Sequence, residues 1–145
     1  MRKFQFRLER VRKYKVLLED DAKIKFAEAL QRLQLENMRL HGLYTDKEYA
    51  LEFGYQQNNV ALRVAMYEYL NSLNKKIELQ QAKVAEASAI VEEKRQEYVY
   101  AKQQREIYEK LKEVKLEAFY QEMLRKEQNL IDEIAGQKRT EEEIQ

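Results

Sequence analysis

Proline is absent from this chain of 145 residues, and glycine occurs only three times. These two residues form most tight turns, because proline fixes one backbone angle and glycine accepts left-handed conformations. A globular domain of this size needs several such turns, whereas this chain has material for about one. The sequence therefore predicts long, uninterrupted helices and a function that a rod-like protein can perform.

Composition favours the same conclusion and argues against several functional classes. The chain contains ten tyrosines and five phenylalanines, and its apolar residues are evenly spaced, which disfavours disorder. The 27 basic and 26 acidic residues nearly cancel, so no global field indicates nucleic acid or a membrane surface. We find no cysteine, no stretch long enough to span a membrane and no secretory signal. We therefore expect a cytoplasmic protein in a reducing compartment.

The first predicted helix covers about residues 4–53. Its apolar residues follow steps of three, four and seven, which places them on one face of a helix: Phe4, Leu8, Val11, Leu18, Ala22, Ala29, Leu33, Leu40 and Tyr44. Four of these residues recur every eleven positions, a spacing slightly looser than a heptad, so we expect this stretch to supercoil weakly.

The signals that interrupt a helix are concentrated between residues 42 and 60. Gly42 is unfavourable inside a helix, and Thr45 followed by Glu48 has the form of a capping box, so we expect a kink or break near residues 42–46. Gly54 and Asn58-Asn59 are better suited to a turn, because both residue types tolerate left-handed backbone. We predict that the chain reverses at about residues 54–60.

The second predicted helix covers about residues 60–135. Its apolar stripe keeps heptad spacing over much of its length, with Gln80, Lys94 and Arg105 as polar interruptions. Gly136 has the position of a helix C-cap, so residues 137–145 are predicted to be a frayed tail. The predicted fold is thus a single all-α domain, an antiparallel two-helix coiled-coil hairpin with a longer second helix.

A reversal near residue 57 places Phe4 opposite about Lys110. The second helix then overhangs the first by about 25 residues, or about 40 Å. We expect the apolar side chains of this overhang to have no intramolecular partner and to form a binding surface: Leu111, Val114, Ala118, Phe119, Leu124, Leu130, Ile131 and Ile134.

No residue pattern indicates an active site. His41 is the only histidine, three scattered glycines do not form a phosphate-binding loop, and a chain without cysteine offers no thiolate. Two helices form no cleft that would desolvate a catalytic carboxylate. We expect no catalysis, no cofactor and no metal site.

Two uneven regions are candidate interaction surfaces. Residues 1–15 carry seven basic residues and one acidic residue, which indicates either a solvated end or a docking end for an acidic partner. Aromatic residues crowd around the predicted reversal, where they either close the hairpin or face a protein partner. Tyr67 and Tyr69 are two residues apart, so at least one of them is expected to point outward.

Three segments together resemble the FliJ family of the flagellar type III export apparatus, over the whole chain. The opening F-Q-F-R-L-E-R-V, at residues 4–11, is similar to the start of these proteins. The segment M-Y-E-Y-L-N-S-L, at residues 66–73, resembles the family's aromatic–leucine stretch. The run from Ile107 to Glu133 is similar to the family's C-terminal region.

The resemblance implies a protein with the form of a rotary-ATPase stalk, peripheral at the inner face of the cell membrane through its partners. Those partners would be the export ATPase FliI, the export gate protein FlhA and substrate-specific chaperones, with no nucleic acid and no cofactor. The implied ATPase contacts are Arg7, Arg10, Arg12, Leu111, Phe119 and Leu124. The implied gate contacts are Tyr69 and Leu73, with Leu40 and Tyr44 opposite them.

Three alternatives remain open from the sequence. An injectisome stalk protein belongs to the same class. A structural coiled coil would self-associate through the overhang. A basic arm for nucleic acid would bind with steep salt dependence.

Overall fold

The computed structural model describes residues 2–144 and contains two α-helices. The helix α1 spans Glu9–Gln56, and α2 spans Val60–Ile144. They contain 48 and 85 residues, so the second helix is the longer one. The helices pack against each other and no strand occurs among the described residues, which confirms the prediction of an all-α helical hairpin. No helix in residues 2–144 meets the length and hydropathy needed to cross a membrane.

Residues 2–8 form a non-helical segment, here called the strap, so α1 begins at Glu9 rather than at Phe4. The strap alternates in exposure, with Phe4, Phe6 and Leu8 half-buried and the residues between them exposed. This period of two is that of an extended chain. The amides of Glu9 and Arg12 donate to carbonyl groups of the strap at 3.1 and 2.9 Å, which marks the start of the helix.

The predicted break near residues 42–46 is wrong, because α1 passes through this region without interruption. The Thr45 hydroxyl donates 3.0 Å to the His41 carbonyl one turn earlier, so Thr45 does not cap a new helix. Gly42 lies in an ordinary helical conformation. A single glycine lowers helix stability by about 1 kcal/mol, which the neighbouring turns offset.

The chain reverses at residues 57–59, between the two helices. The Asn59 side chain accepts a 2.9 Å hydrogen bond from the Ala61 amide and thereby caps α2, as asparagine at this position predicts. The guanidinium of Arg63 donates 2.9 Å to the Gln57 carbonyl and closes the loop from the other side. No described residue has a positive φ, so the expected left-handed glycine at Gly54 does not occur.

Gly54 instead lies inside α1, where its small size matters. A Cβ built at this position would lie 3.4 Å from Cγ of Met66, at the limit of ordinary contact. The glycine therefore lets the end of α1 approach the beginning of α2 closely.

The predicted C-cap at Gly136 and the frayed tail are also wrong, because α2 continues through Gly136 to Ile144. The Thr140 hydroxyl donates 2.9 Å to the Gly136 carbonyl, which keeps the helical pattern across the glycine. A glycine ends a helix efficiently only in the left-handed conformation, and Gly136 does not adopt it.

Contacts divide the chain into two units, described separately below. The reversal unit is Glu19–Tyr100, and the terminal unit is Met1–Leu18 with Ala101–Gln145. The single domain predicted from the sequence stays a prediction.

The reversal unit contains every described residue that is buried. Five of them are apolar and two are polar: Ala29, Ala50, Leu73, Ile77, Ala87, Glu36 and Gln80. Small alanines on both helices bring the backbones close together, and the larger Leu73 and Ile77 fill the space that remains. We call this buried contact between α1 and α2 the seam. The rings of Phe26 and Tyr98 stack with their centroids 6.0 Å apart and extend it.

The two buried polar side chains of the reversal unit form one hydrogen-bonded cluster. The Gln80 amide donates to the Glu36 backbone carbonyl at 2.9 Å and to its carboxylate at 2.5 Å. The other carboxylate oxygen accepts 3.1 Å from the guanidinium of Arg39, which reaches solvent. The buried carboxylate is therefore paired and fully hydrogen-bonded, as a charge in a seam requires.

Candidate partner-binding surfaces

An ion network joins the start of α1 to α2 in the terminal unit. Arg12 contacts Glu9 at 2.6 Å and Glu109 at 2.8 Å. The Nζ atom of Lys112 lies 3.1 Å from Glu9. The pKa of Glu9 is lowered from 4.5 to about 2, chiefly by its hydrogen bond with Arg12; burial opposes this shift, and the contact with Lys112 adds to it. The hydrogen bonds to Glu9 and Glu109 raise the pKa of Arg12 above its usual range.

Aromatic contacts hold the strap on α2. The rings of Phe4 and Phe119 lie 5.6 Å apart at 56°, and Phe119 meets Tyr120 edge-on at 6.2 Å. Further along, the Nζ atom of Lys15 lies 5.9 Å from the centre of the Tyr108 ring, a cation–π distance. These pairs replace a buried core, because no described residue of the terminal unit is fully buried.

The expected pairing of Phe4 with Lys110 is wrong by nine positions, because Phe4 lies against Phe119. Two causes act in the same direction. The prediction centres the reversal on residue 57, whereas the loop is centred on Asn58. Moving a reversal by one residue shifts every antiparallel partner by two residues. The strap is also non-helical, and an extended chain advances about 3.3 Å per residue instead of 1.5 Å.

A surface groove of about 650 Å³ lies between the strap and α2. The strap supplies one wall, and five residues of α2 supply the other: Leu111, Lys115, Ala118, Phe119 and Glu122. Apolar rings and cationic side chains thus share one concave surface in the terminal unit.

The six implied ATPase contacts all lie in the terminal unit, but they differ in accessibility. Arg7 and Arg10 are exposed, and Leu124 is 59% exposed. Arg12 is held by Glu9 and Glu109, while Leu111 and Phe119 are half-buried beside the strap. Only Arg7, Arg10 and Leu124 are therefore free for a partner without a change in the terminal unit.

The end of α2 presents a bare helix. Every residue from Leu124 to Ile144 is exposed. Its large apolar side chains are Leu124, Leu130, Ile131, Ile134 and Ile144. The expected unpartnered face therefore exists, but it is continuous only from about residue 124, because the strap packs against Leu111 and Phe119; before that point Val114 is 53% exposed.

The four implied gate contacts all lie in the reversal unit, but they differ in accessibility. The Tyr44 hydroxyl accepts a 2.7 Å hydrogen bond from Gln81, which is twelve residues beyond Tyr69. This bond joins two long side chains and does not fix which backbone positions face each other, so the placement of Leu40 and Tyr44 opposite Tyr69 and Leu73 stays a prediction. Leu73 is only 2% exposed and belongs to the seam, whereas Tyr69 is 46% exposed.

The aromatic residues near the reversal face solvent and do not form a small core. Tyr67 and Tyr69 are both exposed, which agrees with the expectation that at least one points outward. The others with large exposed surfaces are Tyr49, Phe53 and Tyr55. A shallow groove of about 360 Å³ runs between the ends of the two helices here, lined by residues that include Leu51, Tyr55, Met66 and Tyr67.

Two features of the sequence point to these contacts. Gln80 interrupts the heptad pattern, and a polar residue in a seam position points to a partner on the facing helix, here Glu36. The strap shows F-Q-F-R-L, an alternation that predicts an extended segment as well as the helix favoured above. The sequence contains no comparable signal for the ion network of Glu9, Arg12, Glu109 and Lys112, because that network depends on the register of the helices.

Within residues 2–144 no group of three or more His, Cys, Asp or Glu side chains is placed to hold a metal ion. His41 is exposed and lies in an apolar groove on α1 with Leu30 and Met38.

The family model described as flagellar FliJ protein matches residues 4–142. No curated protein and no solved structure matches the chain.

Proposed function

Because the chain belongs to the FliJ family and is thereby a component of the flagellar export apparatus, we propose that it acts as a non-enzymatic stalk. In this proposal the terminal unit docks in the ring of the export ATPase FliI. The reversal unit contacts the export gate protein FlhA, and substrate chaperones bind as further partners. The protein would then lie peripherally at the inner face of the cell membrane through these partners.

The observation that carries the ATPase contact is the bare end of α2. Twenty-one residues, from Leu124 to Ile144, are helical and exposed, and they present Leu124, Ile131 and Ile134 to solvent. Contiguous apolar surface on an otherwise charged helix favours a protein partner. Arg7 and Arg10 lie in the same unit and add the positive charge that suits an acidic lumen.

The gate contact is supported by exposed aromatic residues in the reversal unit. Tyr67 and Tyr69 are 68% and 46% exposed, and exposed tyrosines contribute strongly to protein interfaces. Leu73 is buried one turn after Tyr69 on α2, and the other two implied contacts, Leu40 and Tyr44, lie on α1. We therefore place the centre of the gate contact at Tyr69.

The ATPase contact is tested with Leu124→Glu combined with Ile131→Glu. Both side chains are more than half exposed, so charges there leave the helices intact and remove apolar contact area. Titration of the wild-type protein is expected to raise ATP hydrolysis or ring assembly by the export ATPase, and the double variant to lose this effect. Leu79→Glu, at a position 67% exposed in the reversal unit, is the matched control and should behave as wild type. A wild-type titration without any change in hydrolysis or assembly contradicts the proposal.

The gate contact is tested with Tyr69→Ala in a pull-down against the cytoplasmic domain of FlhA. The variant should lose the gate and keep the ATPase. Tyr100→Ala is the matched control, because Tyr100 is 63% exposed in the same unit. Equal capture of wild type and Tyr69→Ala would show that the gate contact lies elsewhere.

The bare apolar face also supports the second candidate, a structural coiled coil that dimerises. Sedimentation equilibrium separates the two functions. The stalk is expected to be a monomer, whereas a dimer that Leu124→Glu dissociates would favour the structural alternative. An injectisome stalk would capture the injectisome ATPase in preference to FliI in the same pull-down.

A further inference from the structure

The strap covers an apolar face of α2 that would otherwise continue the bare end of the helix. Phe4, Phe6 and Leu8 are half-buried, and all three line the groove against α2. Phe4 contacts Phe119 directly, with ring centroids 5.6 Å apart. The exposed residues of the strap, Arg2, Lys3, Gln5 and Arg7, alternate with these three or precede them. The strap therefore presents its apolar side to α2 and its basic side to solvent.

This cover is held weakly. None of its apolar side chains is fully buried. The backbone hydrogen bonds of the strap, within the described part of the chain, go to the amides of Glu9 and Arg12 in α1 rather than to α2. Segments with few buried contacts and few backbone hydrogen bonds open at much lower free energy than the rest of a fold. The strap is therefore the part of the terminal unit that detaches most readily.

The sequence of the strap fits a second conformation. Phe4 and Leu8 are four residues apart, and Val11 follows three residues later, which is the spacing of a helix face. Phe4, Phe6 and Leu8 fit the period of two that the strap adopts. Residues 4–8 contain no glycine and no proline. Once detached from α2, they can therefore extend α1 towards the N-terminus as helix.

We propose that the strap is a displaceable cover over residues 111–119 of α2. The inference rests on the proposed function, because the displacing partner is the export ATPase. The ring first contacts the bare residues Leu124 and Ile131, which are already exposed. It then takes the place of the strap on Leu111 and Phe119. The protein is thereby kept from presenting its whole apolar face before it meets the ring.

The test uses the absence of cysteine from the chain, which makes two introduced thiols unique. Phe4→Cys combined with Phe119→Cys is joined by a bismaleimide that contains a reducible disulfide, so that the strap is fixed on α2. The crosslinked protein is expected to bind the export ATPase at least about tenfold more weakly than wild type, and reductant should restore binding. The sample cleaved by reductant is the control for the two substitutions.

Each outcome of this experiment decides between the two proposals. Crosslinked protein that binds as tightly as the cleaved sample overturns the strap inference. If the double variant binds before crosslinking, a loss that reductant does not reverse also overturns the strap inference, because the closed strap is then not its cause. Wild-type protein that does not bind the ATPase at all overturns the proposed function instead.

The weak attachment of the strap is tested without any partner. The active site of trypsin encloses several residues on both sides of the cleaved bond, so cleavage after Arg7 requires the strap to leave α2 even though Arg7 itself is exposed. Phe119→Ala should accelerate this cleavage several-fold, because it removes the ring on which Phe4 rests. Ile107→Ala, at a position 56% exposed, is the matched control and should not change the rate. Equal rates for wild type and Phe119→Ala would show that the strap does not depend on α2.

Discussion

The reversal unit and the terminal unit contain parts of the same two helices, but different forces hold them together. All seven buried residues of the described chain lie in the reversal unit, where alanines let Leu73 and Ile77 pack tightly. The terminal unit has none, and instead uses the ion network around Arg12 and the pair of Phe4 and Phe119. Apolar burial is insensitive to pH, whereas exposed ion pairs depend on both pH and salt. The buried contacts that stabilise the fold are therefore concentrated in the reversal unit, whereas the terminal unit keeps its side chains at least partly accessible to solvent.

The largest expected effect is that of Leu73→Ala. Leu73 is 2% exposed, so its truncation leaves a cavity in the seam and should lower the free energy of unfolding by about 2–5 kcal/mol. Urea unfolding followed by circular dichroism measures the change. Leu79→Ala is the control, because Leu79 is 67% exposed on the same helix and should cost about 0.5 kcal/mol or less. Equal losses at the two positions would contradict the concentration of stability in this seam.

The buried polar cluster should show strong non-additivity. Gln80→Leu leaves the Glu36 carboxylate buried with Arg39 as its remaining partner. Glu36→Leu removes the carboxylate that accepts from the Gln80 amide, which then keeps only the backbone carbonyl of residue 36 as its acceptor. Each single change should cost about 1–3 kcal/mol. The double variant should recover most of that loss, because two apolar side chains of similar size need no hydrogen bonds. A double-mutant cycle by urea unfolding measures the coupling, and additive losses would show that the cluster is not a unit.

Gly42→Ala should stabilise the reversal unit by about 0.5–1 kcal/mol. Gly42 is helical, and nothing lies within 4 Å of the Cβ that alanine would add. Gly54→Ala is the matched comparison, because its Cβ would meet Cγ of Met66 at 3.4 Å, the close end of ordinary contact, so the gain there should be no larger than at Gly42. Thermal unfolding compares the two variants. A larger gain at Gly54 than at Gly42 would contradict the close approach of the helices at the reversal.

The smallest expected effect is that of Glu9→Gln, and it depends on pH. The pKa of Glu9 is lowered from 4.5 to about 2, chiefly by its hydrogen bond with Arg12. The Glu9 carboxyl therefore holds its proton less tightly in the folded protein than in the unfolded chain. The stability contributed by this carboxylate is present above about pH 4.5 and is lost as the pH falls towards 2. Wild type should therefore be more stable than Glu9→Gln at neutral pH, and the difference should vanish near pH 2.

Thermal unfolding at a series of pH values measures that difference. Glu133→Gln is the control, because Glu133 is exposed on the bare end of α2. A difference between wild type and Glu9→Gln that is constant from pH 7 to pH 2 would show that the ion network does not hold the terminal unit.

Much of the fold could be predicted from residues alone. The scarcity of glycine and the absence of proline predict helices, and the asparagines at 58–59 mark the loop and cap of the reversal. The positions of helix ends were less predictable, since Gly42 and Gly136 are both carried through continuous helices. An isolated glycine destabilises a helix by less than the cooperative neighbouring turns stabilise it, so a single glycine does not determine where a helix ends.

The candidate surfaces were predictable in kind but not in extent. The sequence indicates an apolar overhang, yet it cannot show that the strap covers Leu111 and Phe119. It indicates an aromatic reversal, yet the residues of α1 that lie opposite Tyr69 depend on the register, which is set by the side chains that meet across the helices. Residue type determines what a side chain can contact, and register determines which neighbour it meets.

The helical class, the single reversal and the charged character of both helices follow from the amino-acid sequence alone, because they depend on local propensity and spacing. Which residues are buried, how Arg12 is paired and where the bare end of α2 begins depend on tertiary contacts. Those properties depend on contacts between residues as far apart as Arg12 and Glu109, which are 97 positions apart. A local pattern cannot encode such a pair, since a shift of the loop by one residue would change it.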